Sequence, residues 1–356
     1  MPEYDIKEKK MRSSHGIAVI GCGRAGRIHA RNFAGRVPGA RLVAVADPVE
    51  DAARAVADEF GAESWYTDYR ELLENTAVDA VVVVTPTKYH REIVVAAAAA
   101  GKHVLCEKPM AMSAEECRAM IDATDSAGVK LQIGFMRRFD EGFRAAKSAI
   151  DDGTIGDVVL VKSLTHGPST PQDWMYDIGA SNGPLAEVSS HDIDTVRWFS
   201  GAEIVELHAI AGNYRCTDAR ARYPDFYDTV VVNARLANGK QAVIEGAVAV
   251  AYGYDARVEI LGTRGTLFVG GVEENRVTAV TPAGGVQSAA VKSWRTLFTD
   301  AYEAEDKSFI EAIRNDTEPE VTGLDGLRAV EIVNAGNDSI RTGRPVTVGS
   351  NIKEQP

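Results

Sequence analysis

Short apolar runs alternate with amphipathic stretches over the first 135 residues of the chain. Five runs rich in β-branched residues have the length and continuous hydrophobicity of strands buried on both faces: Ile17–Gly21, Arg41–Asp47, Val78–Thr85, Lys102–Lys108 and Lys130–Phe135. The stretches between them have helical periodicity: Arg24–Ala34, Glu50–Phe60, Tyr69–Glu74, His90–Ala100 and Ser113–Ala127. This strict alternation predicts right-handed crossovers and an α/β fold with a doubly wound parallel sheet of the Rossmann type.

Segments of period two are characteristic of the chain after about Phe139. A helix over 141–152 and a strand over 158–164 precede a loop rich in Gly, Pro, Ser and Asn over 166–184, and a single helix is predicted over 185–199. Apolar and polar residues then alternate in four segments: Thr229–Leu236, Gln241–Val250, Ala256–Leu261 and Gly265–Val269. With helices over 299–314 and 324–342, this predicts a second domain of the α+β class, built on an antiparallel sheet.

Length and composition agree with two globular domains. The chain has 356 residues, 45% hydrophobic and 25% charged, with 51 acidic and 39 basic side chains and a net charge of −12. We expect an amino-terminal tail over 1–14, a cofactor-binding domain over 15–138, a substrate-binding domain over 139–348 and a tail over 349–356. The helix over 324–342 is a candidate to pack back on the first domain. The acidic balance argues against a nucleic-acid partner.

The cysteines and the hydropathy of the chain bear on its compartment. Cys22, Cys106, Cys117 and Cys216 are far apart and form no C-x-x-C pair, so they have neither zinc-ligand spacing nor a disulfide pattern. The start of the chain is charged and lacks the apolar stretch of a secretory signal. The longest apolar runs are too short to span a bilayer. We therefore expect a soluble, cytoplasmic protein without a membrane partner or a bound metal.

A glycine-rich turn follows the first predicted strand. Residues 21–26, Gly-Cys-Gly-Arg-Ala-Gly, have the spacing that lets the turn tighten, a pyrophosphate approach the backbone and the next helix pack on the strand. Asp47 ends the second strand, where its carboxylate would accept hydrogen bonds from ribose hydroxyls and repel a 2′-phosphate. This arrangement favours NAD over NADP. The alternative role for Asp47 is to cap the following helix.

Three further residues are candidates for acid–base chemistry. Lys108 ends a strand at the sheet edge where a nicotinamide would lie, although a solvated lysine at a strand exit is the alternative. Glu187 and His191 are four residues apart on the helix predicted over 185–199, so the carboxylate would share a face with the imidazole and orient it. A surface contact is the alternative for such a pair. The glycine-rich loop before this helix favours a substrate site.

With these residues in view, the chain resembles the glucose-fructose oxidoreductase/inositol dehydrogenase/MocA family. The resemblance rests on the turn 21–26, the run 85–90, the block 101–109 and residues 191–194, while 134–140 and 252–259 are most similar to the inositol dehydrogenase branch. It implies a Rossmann domain and an open-faced second domain whose large, mainly antiparallel sheet mediates oligomers, commonly tetramers. The NAD-binding set is then Gly21, Gly23, Arg24, Ala25, Gly26, Asp47, Thr85, Pro86, Thr87, His90, Glu107 and Lys108.

The resemblance also implies a catalytic set of Lys108, Glu187 and His191. The expected reaction is oxidation of a secondary hydroxyl of myo- or scyllo-inositol, or of a related pyranose sugar, to a ketone or lactone, with hydride passing to NAD. His191 would act as general base, Glu187 would steady the imidazolium, and Lys108 would donate a hydrogen bond to the reacting oxygen. Inositol dehydrogenases usually have Asp where this chain has Glu187, so the substrate need not be inherited.

Substrate contacts and other functions stay open at this point. Candidates to bind the remaining substrate hydroxyls are Arg138, His166, Trp174 and Tyr254, each of which could equally be packing or solvated. The alternative functions are another sugar reaction on the same fold, such as reduction of a keto sugar or internal transfer with a tightly held cofactor, a non-catalytic NAD-binding regulator, and a purely structural oligomer.

Overall fold

The computed structural model describes residues 14–281 and 284–349. The tail predicted over 1–14 lies outside these residues except for residue 14, and the tail over 349–356 does so except for residue 349. In the described ranges, no helix has both the length and the apolar character needed to cross a membrane.

Strands and helices are numbered here in chain order. The strands are β1 His15–Ile20, β2 Ala40–Ala46, β3 Ser64–Tyr66, β4 Ala80–Val83, β5 His103–Glu107, β6 Leu131–Gly134, β7 Val158–Gly167, β8 Ile204–Gly212, β9 Thr229–Leu236, β10 Gln241–Val248, β11 Asp255–Gly262, β12 Thr266–Val269, β13 Glu273–Thr281, β14 Gly285–Ala290 and β15 Val346–Thr347. The helices are α1 Arg24–Phe33, α2 Glu50–Phe60, α3 Tyr69–Leu73, α4 His90–Ala99, α5 Ala114–Ala127, α6 Glu141–Asp151, α7 Ile178–Ser181, α8 Gly183–Glu187, α9 Ser190–Ser200, α10 Trp294–Leu297, α11 Thr299–Asn315 and α12 Gly323–Thr342. Short 3-10 helices cover Thr87–Tyr89, Met136–Phe139, Asp173–Tyr176 and Thr217–Ala219.

The chain divides into two compact units. One unit contains the residues through Phe139 together with Thr299–Leu327, and the other contains Asp140–Phe298 together with the residues from Arg328 onward. Residues 299–327 fall in the second domain by the division expected from the sequence, whereas in the structure they belong to the first unit. The reason lies in α11, whose Asp306 bonds the buried His29 of α1.

A six-stranded sheet forms the centre of the first unit, in the order β3-β2-β1-β4-β5-β6. All neighbouring strands pair in parallel. β1 and β4 are buried along nearly their whole length, as expected for strands with helices on both faces. The predicted doubly wound parallel sheet is therefore confirmed. β3 is not predicted from the sequence, because a strand of three residues is too short to show a hydrophobic period.

A seven-stranded sheet forms the centre of the second unit, in the order β12-β11-β7-β10-β9-β8-β15. β7 and β10 pair in parallel, and the other neighbours pair antiparallel. In β9, Val230, Val232 and Ala234 are buried, while the residues between them point to an exposed face. The predicted open-faced, mainly antiparallel sheet is confirmed.

The single helix predicted over 185–199 is wrong. The structure has two helices, α8 and α9, separated by Val188 and Ser189. Ser189 is fully buried against β10, where a Cβ added to Gly246 would lie 2.1 Å from the Ser189 hydroxyl. Serine has a low propensity for helix interiors. The packing of Ser189 against Gly246 therefore determines the break between α8 and α9.

Asp192 fixes α9 on the buried face of the sheet. Its Oδ1 accepts a hydrogen bond from the Ser163 hydroxyl at 2.6 Å, and its Oδ2 accepts one from the Thr165 hydroxyl at 2.7 Å. Both donors are on β7, and all three side chains are buried. Since hydrogen bonds to a charged group are stronger than those between neutral groups, this pair holds the helix at a defined position.

We expect Asp192→Ala to lower the free energy of unfolding by about 3 kcal/mol, because it leaves two buried hydroxyls without their acceptor. Chemical denaturation followed by circular dichroism measures the change. Asp218→Ala removes the same charge from an exposed position and should change stability by no more than about 0.5 kcal/mol. Equal effects of the two substitutions would contradict the anchoring role of Asp192.

Candidate active site

The glycine turn between β1 and α1 contains two glycines that the fold needs and one that it does not. Gly21 has φ +106°, and a Cβ there would lie 2.6 Å from the Val84 carbonyl oxygen. A Cβ on Gly26 would lie 1.9 Å from the Gly21 carbonyl oxygen. At Gly23, by contrast, an added Cβ would have no heavy atom of the described chain within 4 Å apart from those of Gly23 and its two neighbours in the chain. The open space at Gly23 fits the close approach of a pyrophosphate.

Arg24 and Ala25 open α1 directly after Gly23. The first N–H groups of a helix have no partner within the helix, and the helix dipole adds positive potential at this end. The main chain of these two residues is therefore suited to hold phosphate oxygens.

Asp47 lies beside the glycine turn at the end of β2. Its Oδ2 accepts a hydrogen bond from the Cys22 main-chain N–H at 2.8 Å, and its Oδ1 accepts one from the Val49 N–H at 2.9 Å. The N-cap of α2 is Val49, so Asp47 does not occupy the capping position. Its fixed carboxylate remains suited to a ribose with a free 2′-hydroxyl.

His90 connects two loops at the same edge of the sheet. Its ring is buried, with Nε2 2.7 Å from the Thr85 carbonyl oxygen and Nδ1 3.0 Å from the Pro109 carbonyl oxygen. Burial lowers the pKa of His90. His90 is predicted from the sequence to bind the cofactor, and in the structure its side chain contacts main-chain groups after β4 and β5. Thr85-Pro86-Thr87 is thereby held against the loop that carries Lys108.

Glu107 and Lys108 follow one another at the end of β5 but have different surroundings. Glu107 is 5% exposed, and its Oε2 accepts a hydrogen bond from the Lys108 main-chain N–H at 3.2 Å. Lys108 is half-buried, and the Lys108–Pro109 peptide bond is cis. Since the strands are parallel, Gly21, Asp47, Thr85 and Lys108 all lie at the carboxyl edge of the sheet, the usual ligand edge of such folds.

Glu187 and His191 lie on separate helices of the second unit. Glu187 is the last residue of α8, and His191 is the second residue of α9 and is 6% exposed. Their arrangement therefore depends on the turn at Val188 and Ser189 rather than on helical periodicity. The two residues keep the side-chain types of an acid–base pair, an imidazole and a carboxylate.

Tyr227 holds α8 and is a positioning residue that the sequence analysis misses. Its hydroxyl accepts a hydrogen bond from the Leu185 N–H at 3.3 Å and donates one to Asn337 Oδ1 at 2.8 Å. Burial raises the pKa of Tyr227, so the hydroxyl keeps its proton. No local pattern identifies this residue, because its partners are distant in the sequence.

The four candidates for substrate contacts have different surroundings. Arg138 donates to Asp325 at 2.8 Å in the first unit. Trp174 Nε1 donates to Gln172 at 3.0 Å, and Tyr254 is 5% exposed, with its ring 6.4 Å from that of Phe298.

His166 lies on the open face of the seven-stranded sheet. Its Nε2 is 2.9 Å from Glu245 Oε1, and its Nδ1 is 2.5 Å from the Tyr252 hydroxyl. Thr165, the preceding residue, points to the other face and bonds Asp192 of α9. Successive strand residues point to opposite faces, so the structure does not bring the His166 side chain together with His191.

Comparison with known proteins adds to this geometry. A family model described as "Oxidoreductase family, NAD-binding Rossmann fold" matches residues 15–135, and one described as "GFO/IDH/MocA C-terminal domain" matches residues 143–268. The chain is 37% identical to scyllo-inositol 2-dehydrogenase (NAD(+)) of Bacillus subtilis over 331 residues, 92% of this chain and 95% of that protein. It is 35% identical to myo-inositol 2-dehydrogenase of Thermotoga maritima over 330 residues, 93% of this chain and 97% of that protein.

A solved structure is similar over nearly the same span. The crystal structure of scyllo-inositol dehydrogenase from Lactobacillus casei with bound cofactor NAD(H) and scyllo-inositol has a TM-score of 0.86 and 29% identity to this chain. The similarity covers 95% of this chain and 100% of that one. The agreement therefore extends over both units.

Gly23→Ala should weaken NAD binding by about 10- to 200-fold, because the added methyl group takes space that the pyrophosphate needs. Without NAD, the same variant should unfold within about 0.5 kcal/mol of the wild type, since the Cβ meets no described atom. Calorimetric titration with NAD and chemical denaturation give the two quantities. Gly26→Ala is the contrasting variant and should destabilise the fold itself. Wild-type NAD affinity in Gly23→Ala would contradict this placement of the phosphates.

Proposed function

Because this chain belongs to the GFO/IDH/MocA oxidoreductase family, whose amino-terminal domain is an NAD-binding Rossmann fold, we propose that it is an NAD-dependent dehydrogenase of a cyclitol or a related pyranose sugar. It oxidises a ring secondary hydroxyl, as in myo- or scyllo-inositol, to the ketone, or a sugar hydroxyl to the lactone. The observation that carries the proposal is the similarity to enzymes named inositol dehydrogenases over more than nine-tenths of the chain.

The residues of the first unit fit the cofactor. The room at Gly23, the first N–H groups of α1 and the fixed carboxylate of Asp47 together suit a dinucleotide without a 2′-phosphate. When bound, NAD supplies the hydride acceptor. The Asp47 carboxylate would accept hydrogen bonds from the ribose hydroxyls. Thr85-Pro86-Thr87 lies at the same carboxyl edge of the sheet.

Three side chains carry out the proton chemistry in this proposal. His191 takes the proton of the substrate hydroxyl as general base, and Glu187 stabilises the imidazolium that results. Lys108 donates a hydrogen bond to the same oxygen and stabilises its alkoxide character as the hydride leaves. Glu187 is one methylene longer than the usual Asp, which shifts the carboxylate by about one bond length and leaves the choice among cyclitols and sugars to experiment.

The open face of the seven-stranded sheet supports a homo-oligomer. We propose that this face forms the contacts between the subunits of a homotetramer. Large apolar side chains on this face include Phe268, which is 72% exposed, Ile210, Leu261 and Val231. Strand registers set them on one face with Arg235, Glu245 and Glu259. Exposed apolar side chains grouped on one face, with charged residues among them, mark a candidate protein–protein contact. None of the four cysteines forms a disulfide, which supports the cytoplasm as the compartment.

A panel of cyclitols and aldoses tests the proposed activity directly. We expect myo- or scyllo-inositol, or a related pyranose, to reduce NAD, with a lower kcat/KM for NADP because Asp47 repels its 2′-phosphate. Absorbance of the reduced nicotinamide measures both rates. Failure of every polyol and sugar in the panel would overturn the substrate class, and preference for NADP would overturn the role of Asp47.

Variants of the proposed catalytic residues serve as controls for this panel. Lys108→Met should lower kcat by about 10²- to 10³-fold, and His191→Ala by about 10²- to 10⁴-fold, with NAD still bound. Undiminished turnover in Lys108→Met would remove Lys108 from the catalytic set.

We expect light scattering after size-exclusion chromatography to give a mass four times that of the chain. Leu261→Asp places a charge on the open face and should shift this mass toward smaller species. Leu324→Asp is the matched control, since Leu324 is 52% exposed and Leu261 is 47% exposed. A wild-type monomer, or identical masses for both variants, would contradict an interface on this face.

A further inference from the structure

Four ionisable side chains meet in the core of the first unit, and only Glu107 has entered the description of the site. His29 is on α1, Glu107 ends β5, and Glu305 and Asp306 are neighbours on α11. Their exposed fractions are 0% for His29, Glu305 and Asp306 and 5% for Glu107. Charges this deep in a protein persist only when they are paired and hydrogen-bonded.

His29 is the cation of this cluster. Its Nδ1 is 2.7 Å from Asp306 Oδ1, and its Nε2 is 3.2 Å from Glu107 Oε1, so both ring nitrogens face carboxylates and act as donors. Burial lowers the pKa of His29, but the charges and hydrogen bonds of Asp306 and Glu107 outweigh burial and raise this pKa well above its ordinary value. Asp306 also accepts a hydrogen bond from Asn32 at 2.8 Å. One imidazolium thus faces two carboxylates, and the three groups together carry a net charge of −1.

Glu305 adds a third carboxyl group to the same space. Among the residues that the structure describes, neither of its carboxyl oxygens has a hydrogen-bond partner. One of these oxygens, a His29 nitrogen and a Glu107 oxygen lie within 4.8 Å of one another. An ionised Glu305 would leave the cluster with a net charge of −2 in the core, whereas a protonated Glu305 leaves −1.

The groups packed around Glu305 supply little positive charge. α1 contributes His29, β5 contributes Glu107, and α11 itself contributes Asp306. Asn32 contacts Asp306, and the ring of Tyr302 contacts that of His29. From β6, Gln132 donates to the main-chain oxygen of Glu305 at 3.2 Å, and the buried Arg137 lies on the 3-10 helix that packs against α11. Burial and the charge of Glu107 raise the pKa of Glu305 well above its ordinary value.

Glu107 links this cluster to Lys108. One of its oxygens faces His29, and the other accepts the Lys108 main-chain N–H. A Cβ on Gly134 of β6 would lie 2.9 Å from the Glu107 carboxyl carbon, so the carboxylate already fills the room beside β6. Electrostatic repulsion from an ionised Glu305 would therefore push the Glu107 carboxylate out of this position. The hydrogen bond that Glu107 accepts from the Lys108 main-chain N–H would then be disturbed.

We propose that Glu305 is a positioning residue that holds a proton at neutral pH, and that this neutral acid keeps Glu107, and through it the main chain of Lys108, in place. The positioning role rests on the proposed function, because Lys108 is assigned there. The proton on Glu305 can be tested without any substrate.

The first test compares the stability of the wild type and Glu305→Gln across pH. Glutamine has the shape of the neutral acid and cannot ionise. The unfolded chain loses this proton near pH 4.5, the ordinary pKa of the side chain, while the folded protein keeps it. Wild-type stability therefore falls as pH rises above that value until the folded group ionises, and this contribution is missing from the variant.

The Tm of Glu305→Gln relative to the wild type should consequently increase steadily between pH 5 and pH 8. Glu311→Gln, an exposed position on the same helix, is the matched control and should show no such trend. A difference that stays constant with pH would overturn the proton on Glu305. One equivalent of a divalent metal in the purified protein, lost to a chelator together with stability, would also overturn it, since His29, Glu107 and Glu305 would then be metal ligands.

The second test separates positioning from simple stabilisation. Glu305→Gln should keep kcat within about twofold of the wild type. Glu305→Ala removes the neutral group within 4.8 Å of the Glu107 carboxylate and leaves that carboxylate without its packing partner, so it should lower kcat at least tenfold with the affinity for NAD nearly unchanged. Full kcat in a folded Glu305→Ala protein would overturn the positioning role. If the alanine variant does not fold, a tenfold loss of kcat in Glu305→Gln overturns it instead. A wild type that oxidises no cyclitol or sugar contradicts the proposed function, and the stability comparison still decides the proton.

Discussion

The close approach of α1 to β1 is the constraint on which much of the first unit depends. The Cα of Gly26 lies so near the Gly21 carbonyl oxygen that any side chain there would collide with it. This contact presents the N-terminus of α1 at the carboxyl edge of the sheet, where a dinucleotide can meet free N–H groups. It also directs the residues one helical turn later into the core, and among them is His29. The packing that makes a phosphate site therefore also buries an imidazole.

Burial of His29 explains why a distant segment belongs to the first unit. A buried imidazolium needs carboxylates to balance its charge, and the structure supplies Glu107 from β5 and Asp306 from α11. α11 lies almost 200 residues after β5 in the chain, so a linear division into two domains assigns it wrongly to the second one. The ion pair between His29 and Asp306 thus balances the buried charge on α1 and also fixes α11 against α1.

Patterns that depend on local sequence could be predicted, and those that depend on distant partners could not. The bounds of α2 and β9 coincide with the predicted ones because continuous helical or alternating periods specify them. β8 shows a similar alternation in Glu206 to Ala209 that the sequence analysis misses. The division between α8 and α9 comes from Ser189 packing on Gly246, which no local pattern reveals. Glu305 lies in an acidic stretch that is typical of a solvated helix, yet it is fully buried.

For the candidate site, the glycine turn, Asp47 and Lys108 could be placed by strand ends, whereas the face of His166 could not, because it depends on the register of β7.

The arrangement of α9 shows how a structural residue can orient His191, the residue proposed as general base. Successive residues on a helix are about 100° apart around its axis, so fixing one side chain fixes the direction of the next. Asp192 is held by Ser163 and Thr165 of β7, and His191 is its immediate neighbour. Asp192 therefore anchors α9 on the sheet and at the same time sets the direction of the His191 side chain. Glu187 is set differently, through the Tyr227 contact to the main chain of α8. Two separate contacts therefore position the two helices, Asp192 with β7 for α9 and Tyr227 with the main chain of Leu185 for α8.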